Sequence, residues 1–368
     1  MMLRAIDEKG GIGVYANNIV AELLAIDDRN EYVLLYRNPD NLGRFAHHPN
    51  VEELVVRAPN KALWDQLAVP LACARSSVDV LFHPKFTVPF LAPCKTVMVV
   101  HGADWFLPDQ AVFYKPLDVR YVRMVMPWYF RKAAKVLSVS ELTTENFHQV
   151  LELPPGKVET TYFGPARHFA PVRSSEVLEE VRARYDLPGR FIFTLTKLGD
   201  GNRKNFKGLI EGYARYHART DDPVKLVVGG KDCFRLMAQY RIAEAGYSKD
   251  VVFTGWLDQA DLPAVYSMAE LFLYPSNLEA FPIPITEAMA CGSPIVTSNA
   301  NGLKELADDA AELVDPSDPD DIAEGIARVV ADPGLRADLS RRGLQRSKMF
   351  SWEKCARKTL RVLEGLAG

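Results

Sequence analysis

The chain has 368 residues, 48% of them hydrophobic and 25% charged, with a formal net charge of −3. At about 100–200 residues per domain the length points to two domains with cores of their own, and the composition excludes collagen-like and disordered classes. Residues 1–168 carry 18 basic and 18 acidic side chains, so no basic surface for nucleic acid is expected. There is no apolar run of about 18 residues to predict a transmembrane helix, and residues 1–20 lack the apolar stretch of a signal peptide. Five cysteines, Cys73, Cys94, Cys233, Cys291 and Cys355, are scattered without C-x-x-C spacing. Neither a disulfide framework nor a structural zinc is expected, and a reducing cytoplasm is the expected compartment.

In chain order, Met1–Ile6 reads as a first strand, either whole or only its end. Nine residues precede Gly10, so that strand is expected to be short or truncated. Gly10-Gly11-Ile12-Gly13 follows and leads into a helix over Val14–Leu24. Glycines there let the backbone turn sharply and approach a ligand, and a helix N-terminus favours an anion. The spacing is not G-x-G-x-x-G, which disfavours a dinucleotide, and a ligand-free glycine turn explains the motif as well. Strand-like runs then recur at Tyr32–Tyr36, Glu53–Val56, Asp79–Phe82, Thr96–His101, Val136–Val139 and Val158–Tyr162. His83 follows the third of these and could touch an acceptor, although a hydrogen bond within its own loop is the more ordinary role.

Residues 113–135 hold six Lys/Arg against one Asp, interleaved with aromatics. That pattern suits either a peripheral contact with anionic lipid or a core helix with solvated cations, and Pro127 is expected to interrupt any long helix. The βα alternation weakens around 163–189, near Gly164, Pro165 and Pro171. Further strand-like runs follow at Phe191–Thr196, Lys225–Val228, Val251–Thr254, Leu271–Tyr274, Pro294–Thr297 and Glu312–Val314, with helices at Ser175–Tyr185, Phe206–Tyr216 and Trp352–Leu366. Several runs are apolar throughout, as parallel strands covered on both faces require. The fold class is α/β with two doubly wound domains, and ligands are expected at strand carboxyl ends in the cleft between them.

Two motifs in the second half carry chemistry. Asn202-Arg203-Lys204-Asn205 places two cations between a strand and a helix N-terminus, which suits a diphosphate, or simply a solvated helix start. Residues 275–292, PSNLEAFPIPITEAMACG, set Glu279 on a loop and Glu287 in the first turn of a helix that Pro284 opens and Gly292 ends. Two such carboxylates can hold sugar and ribose hydroxyls, while the turn offers N–H groups to phosphates.

This second segment resembles the E-x-F-G-x-P-x-x-E-A-M-A-x-G-x-P-V signature of family-four retaining glycosyltransferases (glycosyltransferase group 1, GT-B fold). The likeness extends along the chain in order: Gly11-Ile12-Gly13-Val14-Tyr15, Val100-His101-Gly102-Ala103-Asp104, Ser138-Val139-Ser140, Arg203-Lys204-Asn205, Phe253-Thr254-Gly255-Trp256 and Phe350-Ser351-Trp352. It implies an N-terminal acceptor-side Rossmann-like domain over 1–164 and a nucleotide-sugar domain over 165–350, facing each other across the cleft. Residues 351–368 would form a terminal helix crossing back to the first domain.

The implied activity is retaining, metal-independent transfer of a hexose, glucose or mannose type, from a nucleotide-diphosphate sugar to a hydroxyl of a glycan or lipid-linked acceptor. No cofactor beyond that co-substrate is implied. By the same resemblance Arg203 and Lys204 would neutralise the diphosphate, Glu279 would contact the donor sugar and Glu287 the ribose. His101 would face the sugar from the first domain. Gly11, Gly13, Gly255, Phe281 and Ile283 would line the donor site.

The chain departs from the family pattern at Ala280 and Pro282, which replace two glycines. Pro282 offers no N–H, so the Ile283 amide would serve the phosphate. Asp104 is displaced from its usual place beside His101, and Phe163 replaces the hinge Asn. Alternatives on the same fold are a glycosyl phosphorylase, a nucleotide-sugar epimerase or a non-catalytic sugar-nucleotide-binding protein.

Overall fold

Twelve short strands, most with unbroken apolar cores, fold as the α/β pattern requires in a computed structural model that describes residues 1–8, 10–196 and 203–368. The chain divides into two units, Met1–Phe163 with Trp352–Gly368, and Gly164–Ser351. Among the described residues no helix is long and apolar enough to cross a membrane.

In the first unit, β1 (Tyr32–Tyr36) pairs in parallel with β2 (Val51–Val55), while β3 (Val80–His83), β4 (Lys95–Val100), β5 (Lys135–Ser138) and β6 (Val158–Thr160) form a parallel sheet in that order. Met1–Ile6 is not the strand expected from the sequence. Only Met2 makes a β-bridge, to Leu35, and Arg4–Asp7 turn into a 3-10 helix. The short extended segment still stitches the two sheets: the Leu3 amide bonds Leu35 O and the Leu35 amide bonds Met1 O, both at 2.9 Å. On its other side the Met2 amide bonds Phe82 O of β3 at 2.9 Å.

Helix α1 (Gly11–Ile26) begins three residues earlier than the glycine motif suggested, so Gly11–Gly13 are its first turn and not a loop before it. Helix α2 (Pro116–Lys132) runs straight through Pro127. Its inner face of Val119, Val122, Met126, Tyr129 and Phe130 is buried on both sides of the proline. That packing offsets the roughly 3 kcal/mol a mid-helix proline costs, which is why local propensity misjudged the element.

The second unit is one parallel sheet of β7 (Phe191–Leu195), β8 (Lys225–Gly229), β9 (Val251–Gly255), β10 (Leu271–Tyr274), β11 (Ile295–Ser298) and β12 (Glu312–Val314), in the order β12-β11-β10-β7-β8-β9. Helices α3 (Phe206–Ala218) and α4 (Ile283–Cys291) follow β7 and β10. The last helix, α5 (Trp352–Ala367), belongs to the first unit, where Trp352 stacks on Phe163 at 4.7 Å and meets the edge of buried Tyr15 at 5.6 Å.

Candidate functional site

The strand order of the second unit reverses between β7 and β10. The chain leaves β7 toward β8 on one side and leaves β10 toward β11 on the other. Such a switch point opens a crevice at the strand carboxyl ends. The order also explains why Arg203 and Lys204, beyond β7, meet Glu279, beyond β10, across seventy-odd residues of sequence. Asn202, the first residue of that basic motif, lies outside the described residues.

The centre of the site is the Glu279 carboxylate, which is 7% exposed. Lys204 Nζ pairs with its Oε1, and Arg203 Nη1 lies 3.6 Å from its Oε2. The hydroxyls of Tyr274 and Ser276 donate to Oε1 at 3.0 and 3.3 Å. Lys204 Nζ also donates to the Tyr274 hydroxyl and lies 5.1 Å from that ring's centroid. Burial pushes the Glu279 pKa up, but Lys204 and then Arg203, helped by hydrogen bonds from Lys204 and Tyr274, hold it below the ordinary carboxylate range. Glu279 is therefore an anion at neutral pH with two cations converging on it.

The backbone fixes this geometry. The Arg203 carbonyl accepts from the Ser276 hydroxyl and from the Asn277 amide, each at 2.9 Å. Asn205, at φ +50°, caps α3 by accepting from the Gly208 amide, and its side-chain amide donates to Pro275 O at 2.9 Å and Pro316 O at 2.6 Å. Asn tolerates this left-handed conformation better than most residues, so Asn205 both turns the chain and ties it to β10's exit. The Gly302 amide bonds Glu279 O at 2.9 Å, and a Cβ at Gly302 would lie 2.2 Å from Ala280 O. Sequence reading missed Tyr274, Ser276 and Gly302. The hydroxyl residues at the end of β10, just ahead of Glu279, were the signal available for the first two.

Glu287 is the fifth residue of α4, in its second turn and not the first, because the helix starts at Ile283 with Pro282 as its N-cap. Gly292 ends it at φ +75°, as expected. Glu287 is 7% exposed and accepts from the Tyr266 hydroxyl at 3.1 Å. Burial raises its pKa to about 7, with the Tyr266 bond pulling in the opposite direction. Ile283 supplies the first amide of α4, where Pro282 has none. Phe281 is half-buried against Phe350, edge to face at 5.7 Å. Gly255 closes β9 at φ +75°, and its carbonyl accepts from the Gly230 amide at 2.8 Å.

Gly11, Gly13 and His101 belong to the first unit. A Cβ at Gly11 would meet nothing within 4 Å, whereas one at Gly13 would lie 1.7 Å from Glu8 O. Gly13 is thus required by its own backbone packing. His101 follows β4, with its ring Nε2 3.0 Å from Pro84 O and its ring edge-on to Tyr15 at 4.9 Å. A carbonyl only accepts, so Nε2 carries the proton and Nδ1 the lone pair. Burial lowers the His101 pKa to about 4, so the ring is neutral at neutral pH. His83 is fully buried with Nδ1 2.7 Å from Thr87 O, the ordinary within-loop role. Among the described residues no group of three or more His, Cys, Asp or Glu side chains could hold a metal ion.

Residues 179–346 match the family model described as glycosyl transferases group 1. The O-antigen chain mannosyltransferase B of Escherichia coli is 29% identical over 95% of this chain and 94% of its own length. A serotype-specific mannosyltransferase WbdA of the same organism is 26% identical over 96% of this chain, which spans only 45% of that longer relative. In fold, HepE of Anabaena, solved in complex with UDP and glucose, aligns at a TM-score of 0.74 over 99% of this chain and 98% of its own, at 20% identity. Residues 179–346, which include Arg203, Lys204 and Glu279, are thus similar to the group 1 glycosyltransferases, and the whole chain has the GT-B fold.

Proposed function

We propose that this glycosyltransferase moves a hexose, mannose first among the candidates, from a nucleotide-diphosphate sugar to a hydroxyl of a glycan or lipid-linked acceptor. Transfer proceeds with retention at the anomeric carbon and without a metal ion or cofactor. The observation that carries the reading is the convergence of Lys204 and Arg203 on the buried Glu279 carboxylate at the β7/β10 switch point. The mannosyltransferase names of the relatives favour the sugar.

The chemistry follows from the charges. The bond between the anomeric carbon and the diphosphate oxygen breaks, its electron pair goes to the phosphate, and a bond to the acceptor oxygen forms. Negative charge grows on the diphosphate as it leaves. Lys204 and Arg203 lie ready beside Glu279 to take up that charge, and little reorganisation is needed at the moment of reaction. The Ile283 amide at the start of α4 adds a donor with the helix dipole behind it. Glu279 then turns to a hydroxyl of the sugar. Glu287, poised near neutral pH, holds the ribose hydroxyls in either protonation state, and Gly255 and Phe281 border the nucleotide. His101, neutral, presents the Nδ1 lone pair as a hydrogen-bond acceptor within the first unit. The enzyme works in the cytoplasm, with a peripheral membrane contact through residues 113–135.

A nucleotide panel read by thermal shift in the presence of EDTA tests this. A nucleoside diphosphate at about 100 times its Kd is expected to stabilise the wild-type chain by about 2.7 kcal/mol. Lys204→Ala is expected to abolish most of that gain. Stabilisation seen only with added divalent metal would overturn the metal-free reading.

A further inference from the structure

Lys204 carries its charge on a flexible four-carbon stem, so a fixed neighbour must hold the ammonium if it is to meet a departing diphosphate at once. Tyr274, the last residue of β10, is such a neighbour. It is buried, its ring stacks on Phe272 at 5.5 Å, and its carbonyl accepts from the Thr297 hydroxyl of β11 at 2.8 Å. The phenol is therefore a rigid post at the strand end. One N–H of Lys204 goes to the Tyr274 hydroxyl oxygen and a second to Glu279 Oε1. An ammonium has three N–H groups, and among the described residues no acceptor takes the third. A cation pinned at two points thus keeps one donor for a ligand.

The same hydroxyl serves the carboxylate. Its proton goes to Glu279 Oε1 at 3.0 Å, so Tyr274 accepts from Lys204 and donates to Glu279 at the same time. Ser276 is a poor substitute. It has one hydroxyl proton, and Arg203 O at 2.9 Å is a closer acceptor than Oε1 at 3.3 Å. Arg203 Nη1 lies 3.6 Å from Oε2, too far for a hydrogen bond. With Lys204 turned toward a phosphate, the Tyr274 hydroxyl would hold the shortest of these remaining bonds to the carboxylate. A carboxylate as buried as Glu279 is costly to strand, so that bond governs how readily Lys204 can leave it.

We propose that Tyr274 is a positioning residue for diphosphate binding. Its hydroxyl aims the Lys204 ammonium, and it keeps Glu279 hydrogen-bonded as Lys204 shifts onto a phosphate oxygen. Tyr274 acts through Lys204 and Glu279 and not on the ligand itself. This role rests on the diphosphate reading of the site.

Phosphorus NMR titration, which follows weak and tight binding alike, tests the role with GDP, UDP and inorganic diphosphate. Four proteins are compared: wild type, Tyr274→Phe, Lys204→Ala and the double variant. Tyr274→Phe keeps the ring and its stacking on Phe272 and loses only the hydroxyl. It is expected to raise the Kd of the preferred nucleoside diphosphate about tenfold, as loss of one hydrogen bond to a charged group does. In the Lys204→Ala background the same substitution is expected to change Kd less than about twofold, because the residue it acts through is gone. A merely structural tyrosine would weaken binding by the same factor in both backgrounds, and that result would overturn the proposal. A Tyr274→Phe variant that binds as tightly as wild type would overturn it as well, with the diphosphate reading left standing. Absence of binding of all three ligands to wild type would overturn that reading and this role with it.

Discussion

Replacing Lys204 with alanine removes the counter-charge that pairs directly with Glu279. Breaking a buried ion pair from one side costs about 3–5 kcal/mol, because the other charge is left behind. Arg203 stays 3.6 Å away, and the Tyr274 and Ser276 hydroxyls remain at 3.0 and 3.3 Å. The cost therefore falls toward or below the lower limit, about 2–3 kcal/mol. For a unit the size of Gly164–Ser351 each kcal/mol moves Tm by about 2–4 °C, so a drop of about 4–12 °C is expected.

The sign with pH is fixed by the depressed pKa of Glu279. Its stabilisation is complete above the unfolded value of 4.5 and is lost as pH falls through the lower folded value. The wild-type and Lys204→Ala curves should therefore converge in acid. The double variant Lys204→Ala/Glu279→Gln removes the stranded charge and is expected to regain more than half of the loss. Circular dichroism melts at pH 7 and pH 4 read all three proteins. A Lys204→Ala variant as stable as wild type at pH 7, or a double variant no better than the single, would refute the claim that Glu279 leans on Lys204.

Three further outcomes follow from the same geometry. Glu287 has a folded pKa of about 7 against 4.5 unfolded, so the folded chain holds the extra proton between those values and stability falls as pH rises through them, by about 3 kcal/mol. Glu287→Gln should therefore be more stable than wild type at pH 8 and similar at pH 4.5; a pH-independent difference in melts would contradict this. Gly13→Ala forces a Cβ onto Glu8 O and is expected to cost about 3 kcal/mol, whereas Gly11→Ala, in open space, should gain up to about 1 kcal/mol. Equal Tm values for these two variants would refute the packing role given to Gly13. His101, held neutral by burial, should show an NMR titration midpoint below pH 5 and no inflection in the pH–rate profile between 5 and 8; a midpoint near 6.5 would contradict its burial.

Much of this was legible in the chain. Runs such as Phe191–Leu195 and Leu271–Tyr274 are apolar end to end, so their period and length marked them as buried parallel strands. What failed was context. Met1–Ile6 was expected as a first strand, whole or only its end, because it leads into the glycine motif, yet only Met1–Leu3 are extended and their backbone bonds are shared between β1 and β3, a tertiary fact. Pro127 was read as a breaker because propensity sees one lost N–H bond and not the five buried side chains around it. Glu287 was placed one residue too near the helix start because Pro284 was taken as the first helical residue, when Pro282 caps and Ile283 begins the helix. Arg203, Lys204 and Glu279 were singled out separately, but only the strand order of the second unit brings them together.

The measurement that tests the account most directly is glycosyl transfer itself. GDP-mannose and UDP-glucose would be offered with a mannosylated acceptor in EDTA, and nucleoside diphosphate release and product anomer followed by NMR for wild type, Lys204→Ala and Glu279→Ala. Wild type is expected to release one diphosphate per sugar transferred with the donor's anomeric configuration kept, and both folded variants are expected to be inactive. Near wild-type turnover in either variant, or a product of inverted configuration, would contradict it.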